Sequence, residues 1–151
     1  MQNAKSFASL PKQKQYAVFI IGSTWQSRCY PKELFAKVAQ RLNISVYIPY
    51  ANSTEYDFAL YLADNTDNCS VLAKMNLKEL KTVISQSALI IGNDTGPTYL
   101  GWANNIPTII LFGPTPPVRV YSDTRTVLLK SPSKVDPNKL DKNDFSIKKI
   151  T

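Results

Sequence analysis

The sequence predicts an α/β fold, in which a doubly wound, mostly parallel sheet carries helices on both faces. Three observations indicate this class. Segments with strand and helix patterns alternate along the chain. The strand segments include wholly apolar runs, which are typical of strands buried on both faces. The chain has 151 residues, 44% of them hydrophobic and 19% charged, which suffices for one core without metal or disulfide support.

The first half of the chain contains three predicted strands and two predicted helices. Residues 16–21, with the sequence YAVFII, form the first strand. Residues 31–42 form a helix, because Pro31 suits its first turn and the apolar residues that follow share one face. A strand, a helix and a short strand are then predicted at residues 44–48, 54–63 and 69–72.

The second half continues the alternation. Residues 77–85 are predicted to form a helix with Asn76 as its N-cap. Four apolar residues of this helix are predicted to face the core: Leu77, Leu80, Val83 and Ile84. A strand, a short helix and two more strands follow at residues 88–91, 98–104, 108–112 and 126–129.

The composition divides the chain into three parts. Residues 1–15 are polar and lysine-rich, as in a linker or an end left by truncation, and residues 16–130 form the folded domain. Residues 131–151 are predicted to be a solvated basic tail with room for one terminal helix. The net charge of +7 comes largely from the two ends. No aromatic residues are interleaved with those lysines, which argues against nucleic-acid binding. Binding to an anionic membrane surface stays open as an alternative.

The residue types exclude several kinds of chemistry. The chain has no histidine, which excludes histidine triads, imidazole general bases and histidine metal sites. Its two cysteines, Cys29 and Cys69, are too few and too isolated for a disulfide framework, so a reducing cytosol fits best. No apolar run approaches the roughly 20 residues of a membrane span, and residues 1–10 lack the apolar segment of a signal peptide.

The strand order predicts where a ligand binds. In the common order 3-2-1-4-5-6, the first and fourth strands are neighbours at the switch point, and ligands bind beyond their carboxyl ends. The loops after these two strands, residues 22–28 and 92–97, should therefore face each other.

The turn at residues 92–97 (GNDTGP) is the strongest local motif. Gly96 allows close backbone approach, and Pro97 suits the first turn of a helix. The amide groups at such a helix start bind phosphate, and the helix dipole adds about 0.3–1 kcal/mol for an anion. A purely structural alternative stays equally open, in which Asp94 caps the helix and Gly96 only permits the turn. The sequence has neither a Walker A motif nor a dinucleotide-cofactor fingerprint.

Other candidate residues are predicted at the same edge of the sheet. Arg28 can neutralise a diphosphate through a bidentate contact worth about 1.5–3 kcal/mol. Glu55 follows the second strand, where an acid usually binds a ribose diol. Met75 follows the third strand and either fills the core or contacts the flat face of a base. The proline-rich turn at residues 112–117 is interpreted as structural.

With these motifs in place, residues 16–130 resemble the C-terminal domain of the ADP-heptose lipopolysaccharide heptosyltransferases, glycosyltransferase family 9. The resemblance rests on four segments in the same order and spacing: residues 23–31, 74–77, 92–97 and 112–115. It implies a GT-B architecture, in which this Rossmann-like half binds the donor and an N-terminal domain, missing from this chain, binds the acceptor. It also implies transfer of heptose, or a related sugar, from a nucleotide diphosphate sugar to the lipopolysaccharide core. Such transfer inverts the anomeric centre and uses no metal or other cofactor.

The resemblance carries roles to individual residues. Four positions are implied to hold the diphosphate: Ser23, Thr24, Thr95 and Gly96. Glu55 is implied to bind the ribose and Met75 to flank adenine. Arg28 stands where the family usually has lysine, and Asp94 is implied to approach the sugar or to order the turn, so these two are the catalytic candidates. Tyr99 stands where the family usually has histidine and supplies an uncharged donor.

The resemblance also implies the setting of the reaction. It places the enzyme in the cytoplasm, at the inner face of the inner membrane of a Gram-negative bacterium, with a lipid-linked oligosaccharide acceptor, a peripheral membrane contact and no nucleic acid. The family's general base lies in the other domain, so this chain alone is expected to bind nucleotide and to be inactive. Two alternatives stay open: half of a nucleotide-sugar epimerase, and a non-catalytic basic binding module.

Overall fold

A computed structural model of the chain describes residues 4–6, 10 and 14–151. These residues form one sheet of six strands: β1 (Tyr16–Ile20), β2 (Ser45–Ile48), β3 (Cys69–Val71), β4 (Leu89–Asn93), β5 (Thr108–Phe112) and β6 (Thr126–Lys130). The strand order is β3-β2-β1-β4-β5-β6. Every pairing between neighbouring strands is parallel. The predicted fold class and strand order are confirmed.

Four α-helices connect these strands: α1 (Lys32–Gln40), α2 (Ser53–Asn65), α3 (Leu77–Ser85) and α4 (Gly96–Ala103). Short 3-10 turns lie at Gln26–Arg28 and Ser146–Lys149, the second where a terminal helix was expected. The four predicted helices that connect strands are all present, with ends that differ by at most two residues. Among the described residues, no helix combines the length and the apolar character needed to cross a bilayer.

The central strand β1 divides the core into two layers. All five of its residues are buried. Ala17 and Phe19 pack on the side of α1 and α2, whereas Tyr16, Val18 and Ile20 pack on the side of α3. Helices therefore cover both faces of the sheet, which explains why this strand is apolar throughout rather than alternating.

One predicted core position is wrong. Leu77 was expected to face the core together with Leu80, Val83 and Ile84, but its side chain is 72% exposed. Leu77 is the first residue of α3, directly after the N-cap residue Asn76 and inside the capping box that Asn76 forms with Glu79. At this end of the helix Leu77 lines a surface cavity instead of the core.

Lys5 and the last residues of the chain pack against the domain. The Lys5 amide donates to the Val71 carbonyl over 2.9 Å, and the Ala73 amide donates to the Lys5 carbonyl over 2.8 Å, which continues the sheet beyond β3. The rest of the predicted linker at residues 1–3, 7–9 and 11–13 lies outside the described residues. Residues 131–151 are not solvated throughout, because Ile147 and Ile150 are buried in the core. The division of the chain at residues 15 and 130 stays a prediction.

The buried phenol of Tyr16 leads to a prediction about alkaline stability. Its hydroxyl donates to the Val83 carbonyl over 2.7 Å. Burial, together with the nearby Tyr47, raises the pKa of Tyr16 to about 12. The unfolded chain releases this proton near pH 10 and the folded chain holds it, so the contribution is present below pH 10 and is lost as the pH rises towards 12.

The substitution Tyr16→Phe should therefore have a pH-dependent cost. At pH 7 it should lower the free energy of unfolding by about 1 kcal/mol, because a buried hydrogen bond is lost. The deficit should shrink or reverse as the pH rises above 10, since phenylalanine cannot ionise. Urea unfolding at pH 7, 9 and 11 measures this, with Tyr121→Phe at an exposed position as the control. A deficit that stays constant across that range would refute the assigned pKa.

Candidate functional site

The loops after β1 and β4 meet, as the strand order predicted. The Nη2 atom of Arg28 donates to Oδ2 of Asp94 over 2.7 Å, so a residue from each loop forms an ion pair. Asn93 is fully buried and joins the same two segments. Its Nδ2 donates to the Ile21 carbonyl over 2.8 Å, and its Oδ1 accepts from the Tyr30 amide over 3.0 Å.

A cavity of about 480 Å³ lies at the carboxyl ends of the first four strands. We call it the apolar cavity, because aliphatic and aromatic side chains form most of its wall, among them Ile20, Tyr50, Met75, Leu77 and Leu80. Five of the predicted site residues also line it: Ser23, Thr24, Glu55, Met75 and Thr95. The structure therefore brings residues from four separate loops to one place.

Glu55 supplies the carboxylate of the apolar cavity. It lies in the first turn of α2, where its amide donates to Oδ1 of the N-cap residue Asn52 over 2.9 Å. Its carboxylate accepts from the Ala51 amide over 2.8 Å and from Nδ2 of Asn52 over 3.2 Å. A Cβ at Gly22 would overlap this carboxylate, so the glycine lets Glu55 approach the end of β1. A carboxylate has about four acceptor positions, so Glu55 can still accept hydroxyl donors.

The turn between β4 and α4 presents the start of a helix. Thr95 is the N-cap residue, and no side chain caps α4, so the alternative in which Asp94 caps this helix is wrong. The first amide groups of a helix have no intrahelical partner. Gly96 is exposed, has no positive φ, and a Cβ there would meet nothing within 4 Å. Neither packing nor backbone conformation therefore requires a glycine at position 96.

A second cavity, of about 320 Å³, lies beside the Arg28–Asp94 pair. We call it the arginine cavity; it is lined by Trp25, Arg28, Asp94, Tyr99, Thr115 and Arg119, among others. Asp94 is only 5% exposed. Its carboxylate accepts from Arg28 and also from the hydroxyl groups of Tyr99 and Thr115. Three donors from three segments thus satisfy one buried charge.

The electrostatics of the arginine cavity follow from Asp94. The guanidinium of Arg28 is balanced by this carboxylate, whereas Arg119 is exposed. Burial, then the hydrogen bond to Asp94 and its negative charge, raise the pKa of Tyr99 well above its usual value. Tyr99 therefore stays an uncharged donor at every physiological pH.

Comparison with known proteins gives the family. Residues 1–144 match glycosyltransferase family 9 (heptosyltransferase). The chain belongs to this family. It is 32% identical over 152 residues to lipopolysaccharide heptosyltransferase 1 of Campylobacter coli, an alignment that covers 93% of this chain and 44% of that protein. The chain thus spans less than half the length of this relative.

Solved structures agree with family 9 membership. The E. coli heptosyltransferase WaaC with ADP has a TM-score of 0.74 and 25% identity, covering 94% of this chain and 45% of that one. The same enzyme with ADP-2-deoxy-2-fluoro heptose has a TM-score of 0.72 and 25% identity, with 94% and 44% coverage. The resemblance inferred from the motifs is confirmed. The family match also favours a transferase over the epimerase alternative.

The nine predicted site residues of this family 9 chain fall into two groups rather than one pocket. Ser23, Thr24, Glu55, Met75 and Thr95 line the apolar cavity, and Arg28, Asp94 and Tyr99 line the arginine cavity. Gly96 lies at the start of α4, in the turn that contributes to both cavities. The individual roles carried over from the family stay predictions.

Two residues of the arginine cavity were missed. Thr115 lies in the turn that was interpreted as purely structural, yet its hydroxyl donates to Asp94. It follows β5, the neighbour of β4, so the rule that placed Glu55 at the ligand edge would also have placed Thr115 there. Trp25 lies in the loop after β1, and the Arg28 guanidinium lies 5.3 Å from the centre of its ring. No motif marks Trp25.

Asn93 is expected to determine the stability of this edge. The substitution Asn93→Ala deprives the Tyr30 amide and the Ile21 carbonyl of a buried partner, and should lower the free energy of unfolding by about 2–4 kcal/mol. Asn65→Ala is the control, because Asn65 is exposed and its side chain makes one hydrogen bond, to the Tyr61 carbonyl. Urea unfolding compares the two variants. Equal losses in both would show that Asn93 does not hold the loops together.

Proposed function

We propose that this chain is the donor-binding domain of an inverting glycosyltransferase. The complete enzyme would transfer heptose, or a related sugar, from a nucleotide diphosphate sugar to the lipopolysaccharide core. One observation carries the proposal: adjacent residues of the β4–α4 turn line two different cavities, with a helix start between them. A nucleotide sugar has the same three parts in the same order, namely a nucleoside, a diphosphate and a sugar.

The apolar cavity suits the nucleoside. Met75, Leu77 and Tyr50 provide apolar and aromatic surface for a base, and the exposure of Leu77 is then explained by contact with the ligand. Glu55 offers acceptors to the ribose hydroxyls, as an acid after the second strand commonly does in this architecture. The bound nucleotide in the related WaaC structure is ADP, which supports adenine as the base.

The start of α4 suits the diphosphate. Amide groups at a helix start, together with the helix dipole, bind phosphate oxygens. Thr95 and Gly96 belong to this start, and Ser23 and Thr24 line the cavity beside it. The Oγ atom of Ser23 is buried and has no hydrogen-bond partner among the described residues, so it has a donor to offer.

The arginine cavity suits the sugar. Its wall combines the indole ring of Trp25 with the hydroxyl groups of Tyr99 and Thr115 and the carboxylate of Asp94, a set that matches a polyhydroxylated ligand. Three donors already occupy Asp94, which leaves about one acceptor position for a sugar hydroxyl. The related WaaC structure with a fluorinated ADP-heptose supports a sugar-linked donor.

The reaction then divides between two domains. A carboxylate outside this chain takes the proton from an acceptor hydroxyl, and the acceptor oxygen attacks the anomeric carbon opposite the diphosphate. The bond from the anomeric carbon to the diphosphate oxygen breaks, and the configuration inverts. Arg28 and the amides at the start of α4 stabilise the charge on the leaving diphosphate without a metal. Alone, this chain binds the nucleotide and transfers nothing.

The setting of the reaction follows from the acceptor. A lipid-linked oligosaccharide requires the enzyme to work at a membrane surface, and a nucleotide sugar requires access to the cytoplasm. We therefore place the enzyme at the inner face of the inner membrane, with peripheral contact through exposed lysines. The alternative of a non-catalytic basic module would bind anionic vesicles but not nucleotide, so nucleotide binding separates the two.

A glycine pair in α4 tests the diphosphate site. Gly96→Ala adds a Cβ at the helix start, where it meets no protein atom, so the fold should be unaffected and ADP affinity should fall at least about tenfold. Gly101→Ala is the matched control, because its Cβ would lie 2.8 Å from Cγ1 of Ile90 and from Oγ1 of Thr108. This variant should lose stability, and its folded fraction should keep its ADP affinity.

Nuclear magnetic resonance titration with ADP measures both effects. In the wild type, the amide signals of Thr95 and Gly96 should move as ADP is added. No movement at millimolar ADP would overturn the diphosphate site, as would equal ADP affinity in the wild type and Gly96→Ala.

Tyr99 leads to a prediction about pH. Because Tyr99 stays neutral, the wild-type affinity for an ADP-sugar should be flat between pH 6 and 8. Tyr99→His should bind the ADP-sugar more tightly as the pH falls, because a protonated imidazole attracts the diphosphate. The change should occur at or above the usual imidazole pKa of about 6.5, because the carboxylate of Asp94 favours the protonated form. Calorimetry with ADP-ribose measures this, since its diphosphate has no terminal phosphate that titrates near pH 6. The affinity of Tyr99→Phe for ADP-ribose should not change with pH. If this variant showed the same pH dependence as Tyr99→His, the imidazole could not be its cause.

A further inference from the structure

The strongest unexplained contact involves Lys142, in the segment predicted to be a solvated tail. Its Nζ atom lies 4.9 Å from the centre of the Trp25 ring. The guanidinium of Arg28 lies 5.3 Å from the same ring. A cation within about 6 Å of an indole ring is attracted to it. Trp25 is therefore held by two cations from segments more than 100 residues apart in the chain.

Residues 131–146 form a closed loop, which we call the C-terminal loop. Its two ends touch, because the Ser146 hydroxyl donates to the Ser131 hydroxyl over 2.8 Å. The Ser131 amide donates to the Phe112 carbonyl over 2.8 Å, and its hydroxyl donates to the Gly113 carbonyl over 3.2 Å. Compact surface loops whose ends meet are frequently functional.

The chain just beyond the C-terminal loop is anchored in the core. Ile147 is buried above Gly113, where an added Cβ would lie 2.9 Å from the Cβ of Ile147. The Tyr30 hydroxyl donates to the Ile150 carbonyl over 2.8 Å. These contacts fix both ends of the loop on the domain, so its position is set by packing rather than by its basic composition.

The C-terminal loop reaches the arginine cavity. Pro137 and Leu140 line this cavity together with Trp25 and Arg28. Within the described part of the chain, the Arg28–Asp94 contact is the one ion pair closer than 4.0 Å, so no carboxylate neutralises Lys142 at short range. An uncompensated cation thus lies on the indole that lines the cavity.

We propose that the C-terminal loop is part of the donor site and that Lys142 is a positioning residue for Trp25. Pro137 and Leu140 wall the cavity, and Lys142 holds the indole where it meets the sugar end of the donor. This inference rests on the proposed function, because it needs a ligand that extends from the apolar cavity into the arginine cavity. It assigns Lys142 no contact with the nucleoside.

A comparison of two ligands tests this role. AMP is short enough to occupy the apolar cavity without a sugar in the arginine cavity, whereas ADP-ribose carries a second sugar. Lys142→Ala should weaken ADP-ribose binding by about two- to fivefold, the range of an exposed cation–π contact, and should leave AMP affinity unchanged. Lys142→Arg should restore the wild-type affinity. Urea unfolding should show that both variants stay folded under the conditions of the binding measurements.

Lys139→Ala is the matched control. Lys139 lies in the same loop, carries the same charge and is exposed, but it neither lines the cavity nor lies over Trp25. It should bind both ligands as the wild type does. Equal weakening of ADP-ribose in the two variants would overturn the role of Lys142, because net charge alone would then explain it. Equal weakening of AMP and ADP-ribose in Lys142→Ala would overturn it as well.

The outcomes separate this inference from the proposed function. If the wild type binds both ligands and Lys142→Ala binds them equally well, the donor site stands and the positioning role fails. If the wild type binds neither ligand at millimolar concentration, the proposed function fails and the inference fails with it. A measurement without ligand tests the contact itself. Replacing Trp102 by Phe leaves Trp25 as the one tryptophan of the sequence, and Lys142→Ala should then shift its fluorescence emission.

Discussion

The parallel pairing of β1 with β4 is the constraint on which the site depends. Its register sets Ile20 opposite Gly92, so both strands end at the same level and their loops must share one edge of the sheet. The fully buried Asn93 uses its side-chain amide to bond the segments that leave β1. Without that pairing, neither the ion pair of Arg28 with Asp94 nor the two neighbouring cavities would form.

A buried carboxylate organises what the pairing brings together. Asp94 is nearly inaccessible to water, so its charge requires donors, and Arg28, Tyr99 and Thr115 provide them from three segments of the chain. This arrangement limits what Arg28 can do. Its charge is balanced before any ligand binds, so an anion at this turn depends on the helix start at least as much as on the arginine. The raised pKa of Tyr99 keeps this neighbour of Asp94 uncharged, so its charge does not change with pH in the physiological range.

The sequence was sufficient for the strand order and for the edge that carries the site, because apolar runs and the crossover rule restrict an α/β chain to few topologies. It was insufficient where a contact joins distant segments. Ile150 is buried, and its carbonyl accepts from the hydroxyl of Tyr30, which lies 120 residues earlier in the chain. No local pattern in the sequence marks this contact. Leu77 satisfies the helical period and is still exposed, because periodicity does not reveal where a helix starts relative to its sheet. The hydrogen bond from Thr115 to Asp94 is a second contact between distant segments.

Net charge is a weak guide to binding in this chain, and the structure shows why. The excess of +7 suggested a basic surface, yet Arg28 is balanced by Asp94, and Lys142 lies on an indole ring together with that arginine. What distinguishes the site is the fixed direction of its free donors, which are the amides at the start of α4, since the hydroxyl of Tyr99 already donates to Asp94. Donors fixed by the fold stabilise charge that develops on a leaving group without having to reorient, whereas mobile surface lysines must first be ordered. Under the proposed function the leaving diphosphate gains charge as it departs, so donors fixed by the fold would stabilise it better than mobile lysines would. Surface lysines would then act by positioning the wall of the site.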